Sequence, residues 1–235
     1  MAAASSVPMH SLRKTALIAG ALYLITFVSS IPAAFLIDPV LNDPNYIVSS
    51  GADARVLWGC FLDLINAIAC IGTAVTLFPV VKRQNEAVAL GFVTARVFEA
   101  AVIIIGVVSL LSVVTLRQDL AGAAGTDDRS LVAIGQSLVT IREWTFTLGP
   151  SLIPGVNALL LGYLLYRSGL VPRLIPVLGL IGAPLLIASA TVTLLRSTLW
   201  ADPTKETIAV RSSADRRRAL TKIGPISRAG RVHLL

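Results

Sequence analysis

Long apolar blocks dominate this chain. Five of them are each about as long as the roughly 20 residues that a helix needs to cross a hydrocarbon core about 30 Å thick. The blocks lie at residues 15–37, 56–81, 87–116, 144–166 and 174–195. This pattern predicts an all-α membrane protein, a bundle of about five transmembrane helices followed by a polar, basic C-terminal tail.

Three regions follow from the same pattern. We expect an N-terminal tail at residues 1–12, the transmembrane bundle at 13–196 and a basic, disordered tail at 197–235. The first block should be a retained helix rather than a cleaved leader, because four more spans follow it. A turn is expected from Asp38 to Pro44, where two Asp-Pro pairs interrupt the apolar pattern.

A mildly amphipathic segment at residues 130–141 precedes the fourth apolar block. A continuous helix over residues 128–167 would extend about 60 Å at about 1.5 Å per residue, too far for one span. Its beginning should therefore project beyond the bilayer or lie along the bilayer surface. Pro150 and Pro154 predict a kink, because each proline removes a backbone donor.

Composition and charge agree with a membrane protein. Hydrophobic residues make up 55% of the chain and charged residues only 14%, and the mean hydropathy is +0.79. The net charge is +7, with nine of the twenty Lys and Arg residues at positions 196–231. Such a tail is expected to meet anionic lipid head groups or to stay solvated, and no nucleic-acid partner is expected.

The positive-inside rule orients the predicted spans. Lys and Arg before span one, between spans two and three, and between spans four and five fall on one side, whereas the loops after spans one and three carry Asp. The N-terminus should therefore be cytoplasmic. Five spans would then place the basic tail outside, against the rule, so the sequence leaves the side of the tail open.

Ionisable and polar residues inside the spans are the candidate site. Such groups are costly at membrane depth and normally face a protein interior or a water-filled cavity. The candidate intramembrane polar cluster is Asp63 and Asn66 in span two with Arg96 and Glu99 in span three. In span two, Cys70 and Thr73 follow Asp63 and Asn66 at helical spacing, so the four residues should form one polar stripe. The cluster could be a proton relay or ligand site, but a structural ion-pair network is the favoured interpretation.

Counting residues back from the hairpin between spans two and three predicts how these groups meet. Arg96 should pair with Glu99 on its own helix, and Asp63 should approach both as part of one cluster. At least one carboxylate would then be neutralised by Arg96, because two unpaired buried carboxylates would repel each other.

A second candidate pair stands where the fourth block begins. Arg142 and Glu143 are expected to form an interfacial pair beside Trp144, with a cavity-lining Glu143 as the alternative. Polar and proline positions at helical spacing should face other helices; they are Gln136, Thr140, Glu143, Thr147, Pro150, Pro154 and Asn157. Glycines in the spans should permit close packing; these are Gly59, Gly72, Gly106, Gly162, Gly179 and Gly182.

Catalytic and cofactor patterns are missing from the sequence. His10 and His233 lie at opposite ends, and no metal-ligand spacing, phosphate loop or nucleophile elbow occurs. We therefore predict no cofactor, no metal and no catalytic residue. Cys60 and Cys70 lie about 15 Å apart along one helix and cannot form a disulfide with each other. The bilayer is the one expected partner, and the sequence leaves the oligomeric state open.

Four stretches carry a resemblance to a known family: Lys14 to Ile25, Arg96 to Glu99, Trp144 to Pro150 and Tyr166 to Arg173. Over about residues 13–195 the chain resembles bacterial multi-pass membrane proteins classified as a domain of unknown function, DUF4386. The resemblance implies a bacterial inner-membrane location. It also implies a sixth span, which residues 196–235 are too polar to form, so the usual last helix is expected to be lacking.

These observations favour a non-enzymatic helical bundle in which a polar cluster organises packing. A small-molecule or proton-coupled transporter is the alternative, since intramembrane charges often mark transport pathways. An intramembrane enzyme is a third interpretation, which would require a nucleophile or metal in a cavity.

Overall fold

The computed structural model of the chain describes residues 9–43, 45–48, 53–120 and 128–199. Helices reach Met9 at one end and Leu199 at the other. Residues 197–199, where the disordered tail is predicted to begin, are the last residues of a helix. The rest of the two predicted tails, residues 1–8 and 200–235, lies outside the described residues, and so does the prediction of a replaced sixth span. Contacts divide the chain into a unit at Met1–Thr191 and a second unit at Val192–Leu235.

The described part of the chain contains helices and no strands. The helices are α1 (Met9–Asn42), α2 (Asp53–Val81), α3 (Glu86–Leu120), α4 (Asp128–Phe146), α5 (Ile153–Ser168) and α6 (Leu174–Leu199), with a short 3-10 turn at Tyr46–Val48. Five helical stretches are long and apolar enough to cross a membrane, with α4 and α5 counted as one continuous stretch. The predicted all-α membrane fold with five spans is therefore confirmed.

Helix α1 continues through Pro39, and this differs from the predicted turn at Asp38. Proline has no amide hydrogen, so the carbonyl of Phe35 loses its helical partner. A side chain replaces that partner, because Arg55 of α2 donates to the Phe35 carbonyl oxygen at 2.7 Å. The turn comes later, where the backbone amide of Asn45 donates to the Asp43 carboxylate at 2.9 Å.

Helices α4 and α5 are joined by a π-helical segment at Thr147–Leu152. Pro150 lies inside this segment, so the helical disturbance predicted around the prolines takes the form of a widened turn. The first half of α4 packs on α3, where the Ser109 hydroxyl donates to the Leu138 carbonyl at 2.5 Å. The amphipathic segment at residues 130–141 is therefore part of the bundle.

Only some of the glycines in the spans mark close helix approaches. A Cβ atom at Gly59 would lie 2.6 Å from Ile37 Cγ2, so α1 and α2 pack in a way that only glycine allows there. In contrast, a Cβ at Gly179 or Gly182 of α6 would meet nothing within 4 Å. The packing role predicted for those two glycines is therefore wrong.

At one end of the bundle, Asp53 at the start of α2 connects α2 to α3 and to the 3-10 turn. Its carboxylate pairs with Arg117 near the end of α3 at 2.5 Å and accepts the hydroxyl hydrogen of Tyr46 at 3.0 Å. The Arg117 guanidinium also lies 5.3 Å from the centre of the Tyr46 ring. Burial first, and then the bond to Asp53, raise the pKa of Tyr46 to about 12.

This pKa predicts alkaline lability at Tyr46. Because the neutral phenol is favoured in the folded state, its stabilisation is fully present below pH 10.0, the usual pKa, and is lost as pH rises towards about 12. The difference in melting temperature between the natural chain and Tyr46→Phe should be constant below pH 10.0 and shrink above it. Thermal melts in detergent across this range measure the difference.

The matched control is Tyr166→Phe, because the Tyr166 side chain is exposed. Its melting temperature should follow that of the natural chain throughout the pH series. A gap for Tyr46→Phe that stays constant up to pH 12 would contradict the role given to the hydrogen bond with Asp53.

Candidate functional site

The first buried ionic centre joins α3 to α5. Arg96 Nη1 donates to Glu99 Oε2 at 2.8 Å, one turn along the same helix, and both residues are only 5% exposed. The Asn157 amide on α5 donates to the same Glu99 oxygen at 2.7 Å. Two donors therefore stabilise the buried Glu99 carboxylate.

The remaining contacts of Arg96 draw in α1 and α2. Its Nε donates to the Thr73 hydroxyl at 3.2 Å, and its Nη1 approaches Cys70 Sγ at 3.6 Å. The Tyr23 ring of α1 covers the guanidinium, with its centre 4.9 Å from the Arg96 Cζ atom. A single arginine thus contacts side chains from α1 and α2 as well as from its own helix.

The second buried centre joins α2 to α4. Arg142 Nη2 donates to Asp63 Oδ2 at 2.7 Å, and the two residues are 3% and 5% exposed. The Phe146 ring, one turn further along α4, lies 5.4 Å from the Arg142 guanidinium. Gly106 of α3 provides the space for this contact, because a Cβ there would lie 3.0 Å from Arg142 Cδ.

The structure arranges the sequence candidates differently from the prediction. Arg96 and Glu99 lie together as expected, but the ion-pair partner of Asp63 is Arg142 rather than Arg96. Arg142 is accordingly buried instead of interfacial, while the neighbouring Glu143 is exposed. The prediction considered only the hairpin of α2 and α3, and a buried carboxylate pairs with whichever cation is packed against it.

A polar face of α2 runs between the two centres. Asp63, Asn66, Cys70 and Thr73 are all buried on it, at exposures from 0 to 7%. The Cys70 thiol lies 3.9 Å from the Asn66 amide oxygen and also contacts Arg96. The stripe seen in the sequence is therefore one continuous interior surface, with an ion pair towards each end.

Several buried polar atoms in these centres have no hydrogen-bond partner within the described residues. They are Arg96 Nη2, Arg142 Nε, Arg142 Nη1 and Asn157 Oδ1. All of the carboxylate charge is matched by arginine, so what remains is hydrogen-bonding capacity on groups that water normally satisfies.

Cavities lie beside both arginines. One of about 270 Å³ is lined by Ile37, Leu41, Arg142, Glu143 and Phe146, among others. Another of about 230 Å³ shares Leu41 and Glu143 with it and adds Asp43, Tyr46 and Gln136. A third, of about 260 Å³, lies on the other side of the bundle interior against Arg96 and Asn157.

Asn157 is the part of the first centre that the sequence did not single out as a site residue. Its place on the polar stripe of the fourth block was the available signal. Among the described residues, no three His, Cys, Asp or Glu side chains are grouped closely enough to hold a metal ion.

Comparisons with known proteins identify the family. A search of curated proteins and a search of solved structures found no match. The family model described as "Domain of unknown function (DUF4386)" matches residues 18–211, which include both ionic centres. The match covers well over half of the chain, and the chain therefore belongs to the DUF4386 family.

Proposed function

We propose that this chain is a non-enzymatic integral membrane protein whose two buried ionic centres hold its helices in one arrangement. The observation that carries the proposal is that each buried carboxylate, Asp63 and Glu99, meets a buried arginine at 2.7 to 2.8 Å. Neither pair leaves a net charge in the bundle interior. A reactive site would more often keep a group exposed to substrate, whereas Asp63 and Glu99 are buried and each is paired with an arginine.

The two centres also connect helices that are distant in sequence. Asp63 and Arg142 are separated by 79 positions, and Glu99 and Asn157 by 58. In a bilayer, apolar side chains give little preference for other helices over lipid, so polar contacts help to specify which helices pack together. The two centres therefore support a role in fixing the register of α2 and α3 against α4 and α5.

Charge-removal variants test this proposal. Arg96→Met should destabilise the bundle by about 3–5 kcal/mol, because it leaves Glu99 as a buried unpaired charge. The double variant Arg96→Met/Glu99→Gln should recover much of that loss, because it removes both charges and keeps an acceptor for Asn157. Thermal or denaturant unfolding in detergent measures the difference between the two variants.

Two further sets of variants act as controls. Arg142→Met and Arg142→Met/Asp63→Asn should repeat the pattern at the second centre. Arg83→Met, in the exposed loop after α2, should change stability little. Equal stabilities of the single and double variants at both centres would show that the pairs do not hold the bundle.

The proposed location is a bacterial cell membrane with the N-terminus in the cytoplasm. Lys82 and Arg83 are exposed in the loop between α2 and α3, and Asp43 is exposed after α1. Basic residues next to span ends resist translocation, which supports a cytoplasmic loop at Arg83 and an external loop at Asp43.

Cysteine labelling in intact cells tests this orientation. A membrane-impermeant maleimide should modify Asp43→Cys, and should modify Arg83→Cys only after the cells are made permeable. Cys60 and Cys70 are buried and should give a low background. The reverse pattern would invert the topology.

A transporter-like role is the second candidate, and the cavities support it. Glu143 is shared by the two cavities that lead from Asp43 to Arg142, and the third cavity lies against Arg96. The polar face of α2 runs between these arginines, so polar groups extend over much of the bundle. A solvent-reachable state of this face would be expected of a transporter.

The natural thiol of Cys70 reports on such a state, because it lies on this face in contact with Arg96. In a Cys60→Ser chain, a small cationic thiol reagent applied to membrane vesicles should leave Cys70 unmodified if the cluster only organises packing. Arg83→Cys provides the reference for a fully accessible thiol. Reaction of Cys70 at a comparable rate would favour the transporter over the packing role.

A further inference from the structure

The cavity against Arg96 has a polar end and apolar walls. Its lining comes from α1, α3, α5 and α6 and includes Tyr23, Arg96, Asn157, Leu161, Ile175 and Gly179. At about 260 Å³ it is several times the roughly 30 Å³ that a water molecule occupies in the liquid. It lies just below the lower limit of about 300 Å³ for typical ligand pockets, so its occupant must be small.

At the polar end, one donor atom and one acceptor atom are left without a partner. Arg96 Nη2 and Asn157 Oδ1 have no hydrogen-bond partner among the described residues, and the two side chains are 5% and 4% exposed. Their other polar atoms are held by Glu99, Thr73 and Cys70. A group that accepts from one atom and donates to the other would satisfy both.

The charge at this end selects for a neutral group. Glu99 already neutralises Arg96 at 2.8 Å, so a carboxylate or phosphate would add an unbalanced negative charge to the bundle interior. It would also bring its oxygens against the Asn157 acceptor. A hydroxyl avoids both penalties, because one oxygen can accept from the guanidinium and donate to the amide oxygen.

The apolar walls lead away from the polar end towards the beginning of α6. Leu161 and Leu165 of α5 and Ile175 of α6 form this part of the lining, and Ile175 is 58% exposed. Because α6 is one of the five candidate spans, an opening beside Ile175 would face lipid chains. The cavity is therefore suited to a molecule that arrives through the bilayer.

We propose that this cavity binds a small neutral amphiphile with a hydroxyl head group. The hydroxyl accepts from Arg96 Nη2 and donates to Asn157 Oδ1, and the apolar chain lies along Leu161, Leu165 and Ile175. This goes beyond the packing role, because the ion pair stays intact and the ligand uses only the atoms that the pair leaves free.

Two α6 glycines provide a matched pair of variants. Gly179 lines the cavity and Gly182 does not, and a Cβ at either position would meet nothing within 4 Å. Gly179→Leu should therefore fill the cavity without disturbing the fold, while Gly182→Leu should make the same change on the lipid-facing side. Ala158→Leu, also in the lining, is a second way to fill the cavity.

The experiment uses the full chain in liposomes with a photoreactive diazirine analogue of decanol. Crosslinks should map to the segments around Leu161–Leu165 and Ile175–Gly179, as read by peptide mass spectrometry. Gly179→Leu should lower the yield about tenfold or more, the loss expected when a specific site is closed, and Gly182→Leu should retain it. Melting temperatures of both variants confirm that they are folded, and the Arg96→Met variants test the packing role separately.

Competition tests the head group. Unlabelled decanol should displace the probe about tenfold better than decane, because the alkane makes neither hydrogen bond. Decanoate at a pH where it is ionised should compete less well than decanol. Equal competition by decane, preference for decanoate, or equal labelling of the two glycine variants would each overturn the proposal.

Discussion

The cost of placing charge inside a bilayer constrains the whole bundle. A charged side chain at the centre of a membrane helix costs at least about 2.5–3.5 kcal/mol on insertion scales, so it must find an opposite charge or water. Asp63, Glu99, Arg96 and Arg142 are all at least nine-tenths buried, and they resolve the cost as two pairs. Asp63 and Arg142 meet only while α2 and α4 stay adjacent. The Arg96–Glu99 pair lies within α3 and contacts α2 and α5 through Thr73 and Asn157, so both centres favour one packing over others.

Helix α2 contributes side chains to both ionic centres. Its buried face supplies Asp63 to one centre and Cys70 and Thr73 to the other, and this face is continuous over about three turns. Close approach of the neighbouring helices makes this possible. Gly59 allows α1 to press against α2, and Gly106 leaves room for Arg142 to reach Asp63. Small and ionic residues therefore act together, because a glycine on one helix leaves the space in which a long charged side chain of a neighbouring helix reaches its partner.

The sequence predicts the features that depend on one helix at a time. The lengths of the apolar blocks predicted five spans, and the three-residue spacing of Arg96 and Glu99 predicted their ion pair. Both predictions depend only on the local geometry of one helix. It did not predict that Asp63 would meet Arg142, since that contact depends on where α4 lies relative to α2. It also ended α1 too early at Asp38, because the donor that compensates for Pro39 comes from Arg55 on another helix. Both errors concern contacts between helices, which the residue periodicity of a single helix does not predict.

Arg96 and Arg142 are each paired with a carboxylate, but they differ in the polar atoms around them that are left without a partner. Arg142 keeps two unpartnered nitrogens among the described residues, both donors, beside a cavity that it shares with the exposed Glu143. Arg96 keeps one unpartnered nitrogen among the described residues, and Asn157, which binds the same Glu99 oxygen and lines the same cavity, keeps an unpartnered acceptor. A donor and an acceptor that line one cavity suit a neutral hydroxyl, whereas two donors near a carboxylate suit water or a polar group that reaches them from the bundle end. The two ion pairs have nearly equal nitrogen-to-oxygen distances, although one lies within α3 and the other joins α2 to α4. The unpartnered groups around them make the two halves of the interior chemically distinct.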